Sequence, residues 1–372
     1  MQFTINKSDI RNILSKVQGL TGRRTNLAIT EAILIKTAES GITMIATDLE
    51  TGFEGTYPAT VESEGRIAIN AKKLYEIVRD FPTDDIRINE VENRWIKIGN
   101  QSIEYHIVGM DPEDFPDTPQ IEDVGFFEID SAALKKMIEK TVFISGAADD
   151  KRSHINGIFF ERILTDDKKT VRMVSTDGSR LATADYVYEN DVELPAGPGI
   201  LIPKKGLNEV SKFLGGNGTV QAGFKDNHFI IKKDAETIII RLLEGDFPRY
   251  ADIIAKSGGH TVKIDRHLFL MTLRRMSILS SENYKGVIFN FSDNKLVVTA
   301  TNPDIGESKE EMAVEFAGEE IKVAFNPKYF IEMLGVIEDE NAVLNIVDDR
   351  RPCLIEGEND KSYLGVIMPM RI

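Results

Sequence analysis

The chain has 372 residues, 42% of them apolar and 28% charged, with a formal net charge of −15. That length allows two or three domains, each burying its own core. No apolar run approaches the roughly 20 residues that span a bilayer, which excludes a helical membrane protein. The single cysteine, Cys353, excludes an internal disulfide and fits a reducing, cytoplasmic setting.

From the first residue the chain is strand-like, with no basic region followed by an apolar one, so no secretory signal is expected. Phe3-Thr4-Ile5-Asn6 leads into an amphipathic stretch with Ile10, Ile13, Leu14 and Val17 on one face. The same unit, a short strand followed by an amphipathic helix, then recurs along the chain. It begins at Ile67-Ala68-Ile69-Asn70, Phe127-Glu128-Ile129-Asp130, Ile200-Leu201-Ile202-Pro203, Val262-Lys263-Ile264-Asp265 and Val323-Ala324-Phe325-Asn326. Asn and Asp suit these junctions because their side chains accept from the first free helical N–H groups. Pro203 and Pro327 suit a helix start, where a missing N–H costs nothing.

Between these units lie alternating strand candidates, such as 94–98 and 237–242, and a hairpin signal that occurs three times. Its fullest copy is 171–183, two apolar strands around Asp177-Gly178. Thr47-Asp48 and Thr301-Asn302 echo Thr176-Asp177 at steps of 129 and 125 residues, close to a third of the chain. Asp114-Phe115-Pro116 likewise recurs as Asp246-Phe247-Pro248 and, more loosely, as Met368-Pro369. A triplication follows. The expected fold is α+β, with three similar domains at 1–123, 126–254 and 260–372, each holding two helices and flanking sheets.

No catalytic motif emerges. His106, His154, His228, His260 and His267 are scattered without metal-ligand spacing, and Gly215-Gly216-Asn217-Gly218 lacks the Lys-Ser/Thr of a phosphate cradle. No Gly-x-Ser-x-Gly elbow is present. No metal or cofactor is therefore expected. The six helical stretches carry sixteen Lys and Arg against seven Asp and Glu, in a chain that is acidic overall. Basic helices in an acidic chain suit a polyanion on one surface, such as a duplex backbone touched without reading sequence.

The threefold repeat, the basic helices, Thr176-Asp177-Gly178-Ser179-Arg180-Leu181, Asp246-Phe247-Pro248 and the ending Val366-Ile367-Met368-Pro369-Met370-Arg371-Ile372 together resemble the bacterial DNA polymerase III beta subunit family, the replicative sliding clamps. The resemblance covers the whole chain. It implies a non-enzymatic, nucleoid-associated processivity factor: a head-to-tail homodimeric ring around duplex DNA, with helices lining the hole. Its dimer contacts match Tyr105 and Ile107 in the first domain and Ile278 and Leu279 in the third. Its groove for short linear peptides of the polymerase, clamp loader and repair proteins matches Ile155, Thr176, Gly178, Arg180, Leu181, Pro248, Ile253, Val366, Met368, Pro369, Met370 and Arg371. Its DNA contacts match Arg23, Arg24, Lys151, Arg152, Lys204 and Lys205. Two positions depart from the family pattern: Asp252 stands where a basic residue is frequent, and Ser179 where a His is common.

Two other readings compete. An enzyme built on duplicated α+β units, acting on a small phosphorylated or sugar substrate, would need a convergent polar cluster in one repeat. A monomeric peptide-binding scaffold would differ from the ring in particle mass.

Overall fold

Each of the six strand–helix junctions forms where the local signals place it. The computed structural model describes residues 1–21, 27–38, 41–119, 122–146, 150–164, 168–188, 199–215, 217–256, 258–279 and 286–371. The long helices are Lys7–Thr21, Ala71–Asp80, Ser131–Val142, Lys204–Phe213, Arg266–Met276 and Pro327–Val336, each preceded by a strand, with Asn326 alone intervening before the last. Asn70 accepts from the Lys73 N–H, Asp265 from Leu268 and Asn326 from Lys328, so orphan donors of the first turn are satisfied by the side chain at the strand–helix junction. Two single-turn helices, Ser153–Asn156 and Ala251–Ile254, carry no periodic apolar signal and escape a sequence reading.

By contact the chain divides into two compact units. The first is built mainly from Met1–Lys135 and Ile202–Leu242, the second mainly from Lys136–Asn190 and Leu243–Ile372, so the middle third of the sequence contributes to both. The first unit holds a five-stranded sheet in the order Thr60–Ser63, Gln2–Asn6, Asp85–Glu90, Trp95–Gly99, Glu104–Val108. Its other sheet has eight strands, because Thr51–Pro58 pairs antiparallel with Glu236–Arg241 and joins two four-stranded sets. The second unit repeats this device: Arg180–Tyr188 pairs with Tyr363–Ile367 at the centre of an eight-stranded sheet. It also holds a four-stranded sheet ordered Gly306–Ala313, Lys295–Asn302, Val287–Ser292, Ile321–Phe325. Four fully buried rings, Phe269, Phe289, Phe325 and Phe330, pack at its centre with centroid separations of 5.2–5.8 Å.

Several helical lysines are paired within the chain. Lys16 Nζ lies 2.7 Å from Glu236, Lys136 pairs with Glu338 at 2.6 Å, and Lys140 reaches Asp360 at 2.6 Å. Strands and loops distant in sequence thus neutralise part of the positive charge that the helices carry.

The Lys140–Asp360 pair carries a pH prediction. Burial opposes ionisation of Asp360, but hydrogen bonds from Lys140 and from the Ser362 hydroxyl and N–H prevail and hold its carboxyl well below the usual range. A native value below the unfolded value, about 3.9, means stability that is present above pH ~4 and lost as pH falls toward the native value. The urea midpoint of wild type should exceed that of Asp360→Asn at pH 7, with the gap closing below pH ~4. A gap constant across that window would refute the linkage.

Candidate functional site

The hairpin around Asp177 is held by its own side chains. Thr176 Oγ1 donates to the Arg180 carbonyl at 2.8 Å and accepts from the Gly178 N–H at 3.1 Å. Asp177 Oδ1 accepts from the Ser179 and Arg180 N–H groups at 2.9 and 3.0 Å. The turn requires φ +89° at Gly178, the left-handed region where a Cβ is unwelcome. The first repeat makes the same turn, with Thr47 and Asp48 in the same roles, and forces Leu49 to φ +75°.

Arg180 is not a surface cation. It is 5% exposed, its Nε donates to Asp177 Oδ2 at 2.9 Å, and its Nη1 donates to Glu332 on the helix Pro327–Val336. Its guanidinium lies 4.4 Å from the Tyr329 ring centroid and 5.8 Å from that of Phe143. Three neighbours, Asp177, Glu332 and Tyr329, engage its donors and its face, and it ties hairpin to helix.

Beside it, Leu181 pairs with Val366 across the Arg180–Tyr188 and Tyr363–Ile367 ladder. Both belong to a buried cluster with Val174, Tyr250 and Leu354, flanked by the partly buried Phe159, Phe247, Ile254 and Leu364. Phe159 and Phe247 stack at 4.9 Å, and Phe247 meets Tyr250 edge-on at 6.1 Å. The Tyr250 hydroxyl donates to Glu161; burial, then that carboxylate, raises its pKa, so it stays a neutral donor. The C-terminal segment is anchored by the backbone, Met368 N–H to the Ser179 carbonyl at 2.9 Å and Met370 N–H to Ala324 at 2.8 Å. That leaves the Met368 and Met370 side chains 40% and 37% exposed. A cleft of about 750 Å³ there is lined by Ala324, Asp349, Arg350, Met368, Pro369, Met370 and Arg371.

Of the groove positions read from sequence, Thr176, Leu181, Val366 and Ile155 are buried, Pro369 is half-buried, and Gly178, Pro248, Ile253, Met368, Met370 and Arg371 are exposed. Phe159, Phe247, Tyr250 and Leu364 join the buried cluster, and Asp349 and Arg350 the cleft, without having been singled out. Only the Asp-Phe-Pro echo, which contains Phe247, pointed toward them. The cleft combines pliable Met side chains with Ala324, Pro369 and the cations Arg350 and Arg371, a lining suited to a short peptide with an apolar anchor.

The DNA candidates divide. Lys151 and Arg152 are exposed, Arg152 bound to Asp150 at 2.7–3.2 Å. Lys204 is buried, and Lys205 lies 2.6 Å from Asp48 and 3.0 Å from Glu50, so neither is presented as an exposed cation. Arg23 and Arg24 lie outside the described residues. Of the dimer candidates, Tyr105 and Ile278 are 41% and 75% exposed, while Ile107 and Leu279 are half-buried. Among the described residues no group of His, Cys, Asp and Glu is placed to hold a metal, and no helix is long and apolar enough to cross a membrane.

Family models for the N-terminal, central and C-terminal domains of the DNA polymerase III beta subunit match residues 1–119, 128–249 and 252–371. The beta sliding clamp of Vibrio cholerae is 30% identical over 383 residues, covering 100% of each chain. That of Pseudomonas aeruginosa is 30% identical over 380 residues with the same coverage. The crystal structure of the DNA polymerase III subunit beta from Pseudomonas aeruginosa superposes with a TM-score of 0.91 at 28% identity, covering 100% of each chain. That of a sliding clamp from Bartonella birtlesii bound to griselimycin gives 0.92 at 26%, again covering 100% of each. With a triplicated α+β fold and relatives matched end to end, the chain belongs to the DNA polymerase III beta subunit family, the beta sliding clamps, which are processivity factors rather than enzymes.

Proposed function

We propose that two copies of this chain, each read as domains 1–123, 126–254 and 260–372, close head to tail into a ring that encircles duplex DNA. The observation that carries this is a pair of unsatisfied sheet edges. Within each unit a seam is sealed by a continuous antiparallel ladder, whereas Glu104–Val108 and Gly306–Ala313, two of the eight strands that end a sheet among the described residues, have no neighbour on one side. Exposed backbone edges invite pairing, and a heterologous contact that closes after two subunits uses up both. Tyr105 on one edge and Ile278 near the other supply exposed apolar area for such a contact. DNA is held by topology, with loose phosphate contacts from cations such as Lys151 and Arg152, and the cleft beside Met368 and Met370 takes short peptides of the polymerase, clamp loader and repair proteins. The griselimycin complex of the Bartonella birtlesii relative supports a ligand-accepting surface in the family.

Retention on DNA tests the ring. Once loaded, the protein should stay on a closed circle at high salt and be lost after the circle is cut. Equal loss from both would overturn topological binding, and a one-subunit mass at micromolar concentration would overturn the dimer.

A further inference from the structure

The internal seams specify which residues meet across the seam between two copies. Along the ladders, His106 lies level with Gln2 through Lys97 and Asn89, four residues before Asn6, the end of the strand that enters the first helix. By the same count Ile239 lies level with Phe126, four before Asp130. Val366 lies level with Thr261, four before Asp265. These three residues are therefore equivalent. On the opposing strands, Thr47 pairs with Gly52, Thr176 with Leu181 and Thr301 with Glu307, which makes Gly52, Leu181 and Glu307 equivalent. Both internal seams join the two sets at the same point, Gly52 to Ile239 and Leu181 to Val366.

We infer that Glu307 of one copy pairs with His106 of a second copy, and Lys309 with Glu104, in an antiparallel ladder that continues the sheet. This rests on the head-to-tail pairing proposed above and adds its register. All four side chains are exposed. Glu104 draws on Lys97 and His106 of its own strand pair, so a cation opposite completes a charge cluster. On the other face the register places Tyr105 opposite Ser308 and Ile107 opposite Gly306. Their equivalents Ile238 and Ile240 are buried at 3% and 0%, so the exposed Tyr105 becomes covered.

The charges select this register against its neighbours. A one-residue slip turns Tyr105 and Ile107 to solvent. A two-residue slip keeps the faces but sets Glu104 against Glu307 in one direction and against Glu311 in the other, like charges in both cases. Of these alignments only the proposed one sets a cation opposite Glu104.

Sedimentation at low ionic strength tests this. Glu104→Lys and Lys309→Glu, each placing like charges at both seams of the ring, should each weaken the dimer on the order of tenfold, and the double variant should recover it. A second measurement reads the register directly. With oxidised glutathione taking up the electrons, Glu104→Cys with Lys309→Cys should give a disulfide-linked dimer. Ser102→Cys with Lys309→Cys, diagonal in this alignment, should not. Cys353 is buried and leaves the readout clean. A dimeric wild type whose charge variants show no rescue, or whose diagonal pair links as well as or better than the direct pair, overturns the register. A monomeric wild type overturns instead the head-to-tail reading beneath it.

Discussion

Replacing Arg180 by Ala is expected to destabilise the second unit by about 3 kcal/mol, at the low end of the range for removing one partner of a buried ion pair. The site explains the size. Asp177 and Glu332 have side chains 9% and 29% exposed, so both carboxylates lose a cation they cannot fully replace with water. The Tyr329 ring, 4.4 Å from the guanidinium, also loses its stacked partner. Asp177 keeps its two backbone hydrogen bonds, which limits the loss to less than that of a bare buried charge. Arg180→Lys should recover only part, because an ammonium cannot stack or donate in a fork. Adding Glu332→Gln to Arg180→Ala should give less than the sum of the two single effects, since both remove the same interaction. Urea unfolding followed by near-ultraviolet circular dichroism reads all of these. A change below about 0.5 kcal/mol for Arg180→Ala would show that the network contributes nothing net.

Deleting residues 368–372 should lower the affinity for a short peptide bearing Leu and Phe anchors by roughly 30-fold or more while leaving the fold intact. The segment is held by two backbone hydrogen bonds and presents two half-exposed methionines. Covering a Met side chain contributes about 1.5–3 kcal/mol at most, so even partial contact with two of them accounts for such a loss. Fluorescence anisotropy of the labelled peptide measures it, with the urea midpoint as control. This deletion is a cleaner probe than Leu181→Ala. Leu181 is 5% exposed within a buried cluster, and its truncation would cost about 2–5 kcal/mol of stability whatever it did to binding. Unchanged peptide affinity after the deletion would remove the C-terminal segment from the groove.

These two predictions separate what a sequence can and cannot carry. Asn70, Asp265 and Asn326 announce helix starts because capping acts over three residues, and the apolar period of Ile10, Ile13, Leu14 and Val17 announces the buried face. The hairpin at Thr176 is equally local: Thr, Asp and Gly make its bonds within five positions. Spacing between such local signals is enough to reveal the triplication, and with it the fold.

The pairing of the cations is not legible in sequence for the opposite reason. Lys205 looked like a free helical cation, yet its partners Asp48 and Glu50 lie more than 150 positions away in the chain. Lys140 and Asp360 are as remote, and Arg180 finds Glu332 and Tyr329 from a segment about 150 positions away. By itself the sequence determined the repeated strand–helix unit and the three hairpins, properties of short-range capping and periodicity, while the family entered through the resemblance of its motifs. Which cations are paired, which apolar residues are buried together and which strands end a sheet among the described residues was decided by tertiary structure alone, because Coulomb attraction and burial depend on distance in space, and the ladders bring remote segments within 3 Å of one another.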